Sequence, residues 1–261
     1  MTFVDTNERF SRIRLLLGQE KLDRLARAKV TVIGLGAVGA QAAEAMARCG
    51  VGCLRLVDFD IIRPSNINRH IWATDMTVGQ SKSSVACARL PLINPKMGIE
   101  SLEMFSAEET LGRILDNRPD MVIDAIDSLN PKIQTLLACY QNNLPVVSSM
   151  GAATRTDPSQ IRIADLFSTQ GCPLAARVRR RLKDRGVGKG ITCVYSQQYQ
   201  DVQHLSQDQP RDIGEYPRGR ERRTLGSLPT ITGIFGLTVA HVALERLCGG
   251  WVKPCPECLE R

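Results

Sequence analysis

At 261 residues with 43% hydrophobic content, the chain is long enough to bury a large core. No Pro/Ser/Gly-rich linker divides it, so one domain spanning 1–261 is expected. Its net charge of +7 is concentrated: between Arg155 and Lys189 nine Arg or Lys face three Asp, which admits a polyanionic partner. Residues 1–20 lack the order of a signal peptide, and nine scattered cysteines, an odd number, suggest reduced thiols in the cytosol rather than a disulfide frame.

Glu8 to Gly18 reads as a short basic helix, with Leu22 and Leu25 continuing its apolar face. Val30 to Ile33 then read as a buried parallel strand, because they are β-branched and unbroken by charge. Gly34, Gly36 and Gly39 make a G-x-G-x-x-G turn into a helix from Val38 to Arg48. Such a turn lets backbone approach phosphate while the helix aims unpaired N–H groups at it. A second strand, Cys53 to Val57, delivers Asp58, which lies 22 residues after Gly36, where a carboxylate accepts from ribose hydroxyls. The glycine pattern alone fits a nicotinamide or flavin dehydrogenase equally well, or a tight turn that binds nothing.

Arg63 to His70 is a donor-rich loop. Gly79-Gln-Ser-Lys82 opens a helix that stops at Asn94-Pro95, and Ile99 to Phe105 is a third strand. Ser106-Ala-Glu-Glu109 has capping-box spacing and predicts a helix ending near Asn117. Met121 to Ile126 is a buried strand ending at Asp127, Pro131 to Tyr140 a helix, and Pro145 to Ser149 another strand. Strands alternating with helices predict an α/β fold with a doubly wound, mostly parallel sheet.

After Gly151 the character changes. Gln160 to Ala164 alternates as an edge strand, and Pro173 to Arg185 predicts an amphipathic helix with Leu174, Val178 and Leu182 on one face. Its other faces carry Arg177, Arg179, Arg180, Arg181, Lys183 and Arg185. Gln197 to Arg223 reads as a long mobile loop with no hidden element. Pro229 to Leu247 is an apolar helix with Gly233 and Gly236 on its packing side. Its length nearly spans a bilayer, but His241, Glu245 and Arg246 make it a core or dimer helix and no membrane partner is expected.

Asp58-Phe-Asp60, Ser65-Asn66, Arg69, Gly79-Gln-Ser-Lys82 and Asp124-Ala-Ile-Asp127 form a set that hydride chemistry does not need. Together with the glycine turn they resemble the ubiquitin-activating enzyme superfamily, whose small bacterial members adenylate carboxylates. The likeness covers residues 9 to 151 and implies a Rossmann-like nucleotide-binding core over 29–151, an N-terminal helix over 1–28, and a substrate and dimer region over 152–261. It implies ATP and Mg as cofactors and a homodimer. Gly34, Gly36, Gly39, Asp58, Asp60, Asn66, Arg69 and Lys82 are then implied at ATP, Asp127 at magnesium, and Arg12 as an arginine finger reaching the partner subunit. Arg12, Arg69, Lys82 and Asp127 are the implied catalytic set.

Gly151 to Asp165 followed by Pro173 to Leu182 resembles one branch, the tRNA threonylcarbamoyladenosine dehydratases. That branch implies tRNA as partner, held by Arg177, Arg179, Arg180, Arg181 and Lys183. Two other readings stay open: an activator of a ubiquitin-like sulfur-carrier protein, and a non-catalytic nucleotide-gated tRNA- or partner-binding module. Cys193 is a candidate thiol for a sulfur-transfer partner, with a buried inert cysteine as the preferred reading. Cys255 and Cys258 form one zinc-type pair where four ligands are normally required.

Overall fold

Lys29–Ile33 (β1) lies in the interior of a seven-stranded sheet, buried along both faces and hydrogen-bonded on both edges. The computed structural model describes residues 6–198, 211–212, 222–223 and 225–251. Cys53–Val57 (β2) and Gly98–Leu102 (β3) extend the sheet on one side, and Met121–Asp124 (β4), Val146–Ser149 (β5), Ile161–Asp165 (β6) and Thr192–Ser196 (β7) on the other. The order is β3-β2-β1-β4-β5-β7-β6, and only β6 runs antiparallel. The chain therefore reverses its direction of travel between β1 and β4. The crevice above their carboxyl ends is the switch point where open α/β sheets take ligands.

Helices cover both faces. Ala37–Arg48 (the helix after β1) and the long Pro229–Leu247 helix pack on one side; Glu108–Ile114, Leu129–Gln141 and Pro173–Lys183 pack on the other. Numbered along the chain, the helices are α1 (Thr6–Arg9), α2 (Ser11–Leu17), α3 (Gln19–Arg27), α4 (Ala37–Arg48), α5 (Lys82–Arg89), α6 (Glu108–Ile114), α7 (Leu129–Gln141), α8 (Pro173–Lys183) and α9 (Pro229–Leu247). Among the described residues no helix is long and apolar enough to cross a membrane. Buried Ile231, Phe235, Val239 and Ala240 bind α9 to the core.

Several local expectations change. The basic N-terminal helix is split at Phe10, which is buried against Gly50. Ser106 does not cap α6: its hydroxyl pairs with Thr135 in the core at 2.9 Å. The N-cap is Ala107, whose N–H donates to Thr110 Oγ1 at 2.9 Å. β3 ends at Leu102 rather than Phe105, and α7 starts at Leu129, two residues before its proline. Thr192–Ser196 is a strand the chain pattern did not announce; it inserts between β5 and the edge strand β6. Within the stretch read as structureless loop, Arg211–Asp212 (β8) pairs antiparallel with Arg222–Arg223 (β9). Cys255 and Cys258 lie outside the described residues, as do most of 199–224.

Of the two glycines expected on the packing side of α9, only Gly236 is there. A Cβ at Gly236 would stand 2.5 Å from the Val38 carbonyl oxygen of α4, whereas one at Gly233 meets nothing within 4 Å. Gly236→Ala should therefore destabilise the protein by about 1–3 kcal/mol through overpacking. Gly233→Ala should be neutral or gain about 0.5–1 kcal/mol from helix propensity. Urea unfolding of the two variants checks this, and equal effects would remove the close α4–α9 approach as the cause.

Candidate functional site

The glycine turn closes on itself so tightly that side chains are excluded at two positions. Gly34 has φ +88°, and a Cβ there would meet the Ala125 carbonyl oxygen at 2.9 Å; at Gly39 it would lie 1.8 Å from the Gly34 oxygen. A Cβ at Gly36 would meet nothing within 4 Å, so this glycine faces open space. Gly36 is also the N-cap of α4, with no side-chain cap, so the first-turn N–H groups are left for a ligand.

Asp58, delivered by β2 as expected, grips the turn. Its Oδ2 accepts the Leu35 N–H at 2.6 Å and its Oδ1 accepts the Asp60 N–H at 2.8 Å. Burial raises its pKa, while nearby Lys82 and these two N–H groups oppose the rise. Each oxygen keeps a second lone pair for a ribose hydroxyl.

Lys82 is not a solvated first-turn residue. It is 8% exposed, and its Nζ lies 2.6 Å from Asp60 Oδ2, so β2's exit and the start of α5 converge through an ion pair. Asn66 and Arg69 sit in the neighbouring loop and serve its own geometry. Asn66 Oδ1 accepts the Arg63 N–H at 3.2 Å, and Arg69 Nη1 donates to Ser65 O at 2.6 Å. Arg69 is half-buried, and its guanidinium can turn from that carbonyl to a phosphate.

Asp127 lies at the exposed exit of β4. It is not the helix cap, since Ser128 occupies the N-cap of α7. Among the described residues no three His, Cys, Asp or Glu side chains gather as a metal cage. One carboxylate plus phosphate oxygens and water is, however, the usual donor set for magnesium, so Asp127 fits that ion.

The sequence reading missed His70, which docks the donor loop on the turn. Its Nδ1 accepts the Trp72 N–H at 3.1 Å, so Nε2 carries the proton donated to Leu35 O at 2.7 Å. Trp72 adds a second anchor, donating its indole N–H to Glu44 Oε2 of α4 at 2.9 Å. Burial acts to raise the Glu44 pKa, but bonds from Arg48, Trp72 and Arg89 hold it below its ordinary value. A lone histidine in a polar loop carries no periodic signal that would have marked it.

The sequence reading also missed Lys132. Together with Asp124 it is fully buried, with Nζ 2.6 Å from Asp124 Oδ2 and 3.2 Å from Ser148 Oγ, which fixes the end of β4 beneath the site.

Other sequence-predicted residues stand apart. Arg12 is exposed on α2, none of whose residues is buried. The N-terminal arm is anchored at the amino edge of the sheet by Phe10 on Gly50 and by Arg9 on the Ile93 carbonyl. That is the edge opposite the glycine turn. Cys193 is fully buried in β7, and burial pushes its thiol strongly up, which leaves it inert.

On α8, Val178 and Leu182 are buried as expected, but the cations divide. Arg179 is partly buried and its Nη1 bonds Thr169 Oγ1 at 2.7 Å and Thr169 O at 2.9 Å, so it braces the turn after β6. Arg181 reaches Asn130 Oδ1 at 2.6 Å. Arg177, Arg180 and Lys183 are exposed.

The ThiF family model matches residues 10–258. A tRNA threonylcarbamoyladenosine dehydratase of Bacillus subtilis is 40% identical over 241 residues, which is 91% of this chain and 94% of its own length. The crystal structure of an Escherichia coli tRNA N6-threonylcarbamoyladenosine dehydratase in complex with ATP aligns with a TM-score of 0.83 at 32% identity. The alignment covers 95% of this chain and 98% of that one. A molybdopterin-synthase adenylyltransferase of Escherichia coli is 34% identical over 140 residues, 54% of each chain.

His70 makes the assembly of this site pH-dependent. Its pKa is lowered from 6.5 to about 4, chiefly by burial, so the folded protein favours the neutral ring. The stability this adds is complete above pH 6.5 and is lost as pH falls towards 4, by up to about 3 kcal/mol. The stability gap between wild type and His70→Gln, measured by urea unfolding, should shrink across that window. A gap that stays constant with pH would show that His70 does not titrate there.

Proposed function

The chain belongs to the ThiF family, and on that premise we propose that it is an ATP-dependent enzyme acting on tRNA. It adenylates the threonylcarbamoyl carboxylate of a modified adenosine and closes that group into a ring. The observation that carries this reading is a glycine turn, an acid-gripped β2 exit and a buried lysine at one switch point. Relatives aligned over more than nine-tenths of both chains bear the dehydratase name, which supports it. The molybdopterin-synthase relative matches only about half of each chain, which disfavours the sulfur-carrier alternative.

The chemistry follows from the placement. A carboxylate oxygen attacks the α-phosphate, the bond to pyrophosphate breaks, and an acyl adenylate forms. A nucleophile of the same modification then attacks the acyl carbon, loses its proton, and expels AMP with the former carboxylate oxygen, so the tRNA loses the elements of water. The open face at Gly36 and the uncapped start of α4 receive phosphate oxygens. Asp58 takes the ribose hydroxyls. Lys82, held ready by Asp60, and Arg69 carry the charge that builds during attack. Magnesium, held by Asp127 and phosphate oxygens, would neutralise the departing pyrophosphate. Free thiols at all seven described cysteines suit a cytoplasmic enzyme.

Arg12 serves a partner's site in a homodimer, since its own helix is docked at the far edge of the sheet. The exposed Leu15 and Leu16 on α2, 76% and 78% accessible, fit a helix that packs on a second copy.

Incubating wild type with ATP and tRNA bearing threonylcarbamoyladenosine should remove one water from the nucleoside, read by mass spectrometry, with AMP and pyrophosphate formed. Lys82→Ala and Asp127→Ala should abolish this, consistent with the ~2.7–4 kcal/mol that one placed charge stabiliser contributes. Mixed dimers of Arg12→Ala with Lys82→Ala should recover partial activity. Pyrophosphate release that requires an added carrier protein ending in a free carboxylate, with no loss of water from tRNA, would point instead to the sulfur-carrier reading, and no ATP turnover with either substrate to the non-catalytic one.

The tRNA backbone lies along the outward face of α8. Replacing Arg177, Arg180 and Lys183 by Gln should flatten the dependence of tRNA affinity on log salt, by roughly 0.9 for each duplex phosphate that the helix then leaves unneutralised. Arg179→Gln should instead lower the melting temperature, because it removes bonds to Thr169. A wild-type salt slope in the triple variant would reduce α8 to a solvated face.

A further inference from the structure

Arg155, in the loop after β5, is 2% exposed, yet among the described residues no Asp or Glu pairs with it. Its Nη1 donates to the Gln198 carbonyl, the Cys172 thiol is a second polar neighbour, and among the described residues its Nε has no acceptor. Buried arginines are ordinarily paired, because stripping water from an unpaired ion is costly. Burial depresses the Arg155 pKa for the same reason.

The same loop carries strain one residue earlier. Thr154 is β-branched and has φ +61°, a conformation that persists only where the surroundings enforce it and that clusters at ligand clamps. Its N–H donates to Gly226 O, and the Gln198 side-chain oxygen accepts the N–H groups of Thr156 and Asp157. Beside Arg155, Cys172 is the N-cap of the 11-residue α8 and makes no side-chain cap bond, leaving first-turn N–H groups on the same side.

These features share the sheet edge that holds the nucleotide site. β4 pairs with β5 and β5 with β7, so Cys193 stands level with Asp124 two strand spacings, about 10 Å, to the side, and Gln198 lies five residues farther towards the carboxyl edge.

We propose that Arg155 is an oxyanion receptor for the tRNA substrate, and that the Gln198 carbonyl is the acceptor the incoming oxyanion displaces. This deepens the function proposed above and rests on it for the identity of the substrate. A guanidinium fork matches carboxylate and phosphate alike. The substrate carries both, as the threonylcarbamoyl carboxylate and as the phosphates flanking its nucleotide.

Equilibrium binding to wild type, Arg155→Gln and Arg155→Lys separates the two sources with two probes. The free threonylcarbamoyladenosine nucleoside has the carboxylate and no phosphate; unmodified tRNA has phosphates and no such carboxylate. Arg155→Gln should weaken one of them by about ten-fold or more, as expected for a charge-assisted bond, and Arg155→Lys should recover part of the loss. ATP affinity should stay within about two-fold. The melting temperature should hold or rise, because an unpaired buried cation has been removed, whereas a structural arginine would lower it.

A loss on the nucleoside assigns the carboxylate, and a loss on tRNA assigns a phosphate. Affinity for both probes that is independent of Arg155, or a fall of several degrees in melting temperature, overturns the assignment. If Arg155 governs probe binding but wild type releases no pyrophosphate with modified tRNA, the receptor stands and the proposed reaction falls.

Discussion

Leu35 is the residue on which the nucleotide site is hung. Its N–H is held by Asp58 from β2 and its carbonyl by His70 from the donor loop, while its side chain is fully buried in the core. Two segments far apart in the chain are thus fixed against one residue of the glycine turn. The turn has no slack to lose: Gly34 lies against the Ala125 carbonyl of the β4 exit, and Gly39 against the Gly34 carbonyl. Backbone N–H groups are therefore held in place before any phosphate arrives, which is how fixed dipoles stabilise developing charge without reorganising.

Charge is handled in two ways across the molecule. Inside the sheet's carboxyl edge, cations are matched with acids: Lys132 with Asp124, Lys82 with Asp60. These pairs fix the ends of β4 and β2, and removing one partner of such a pair would strand the other in a dry site. On α8 the helical period sorts residues that look alike in sequence. Arg179 turns inward to brace a turn, while Arg177 and Arg180 face solvent. Arg155 follows neither pattern, being buried without an acid among the described residues, and this sets it apart from the structural cations.

The N-terminal arm contrasts with this order. Phe10 and Arg9 pin it to the amino edge, but α2 beyond them packs on the core only through half-buried Leu17 and leaves the adjacent Leu15 and Leu16 in solvent.

The chain pattern by itself determined the βα alternation, the glycine turn, the edge strand, the apolar face of α8, and the delivery of Asp58 at the end of β2. Each of these rests on local periodicity or on a backbone conformation that one residue type satisfies. The likeness of several motifs in one order added what spacing could not, the choice of adenylation over hydride transfer. Tertiary structure alone decided the insertion of β7 between β5 and β6, and the transfer of Ser106 from cap to core. It also decided that His70 and Lys132 hold the site together, that Gly236 but not Gly233 meets α4, and which arginines of α8 face outward. Those outcomes depend on which groups meet across the sheet, between residues tens of positions apart, and no window along the sequence contains both partners.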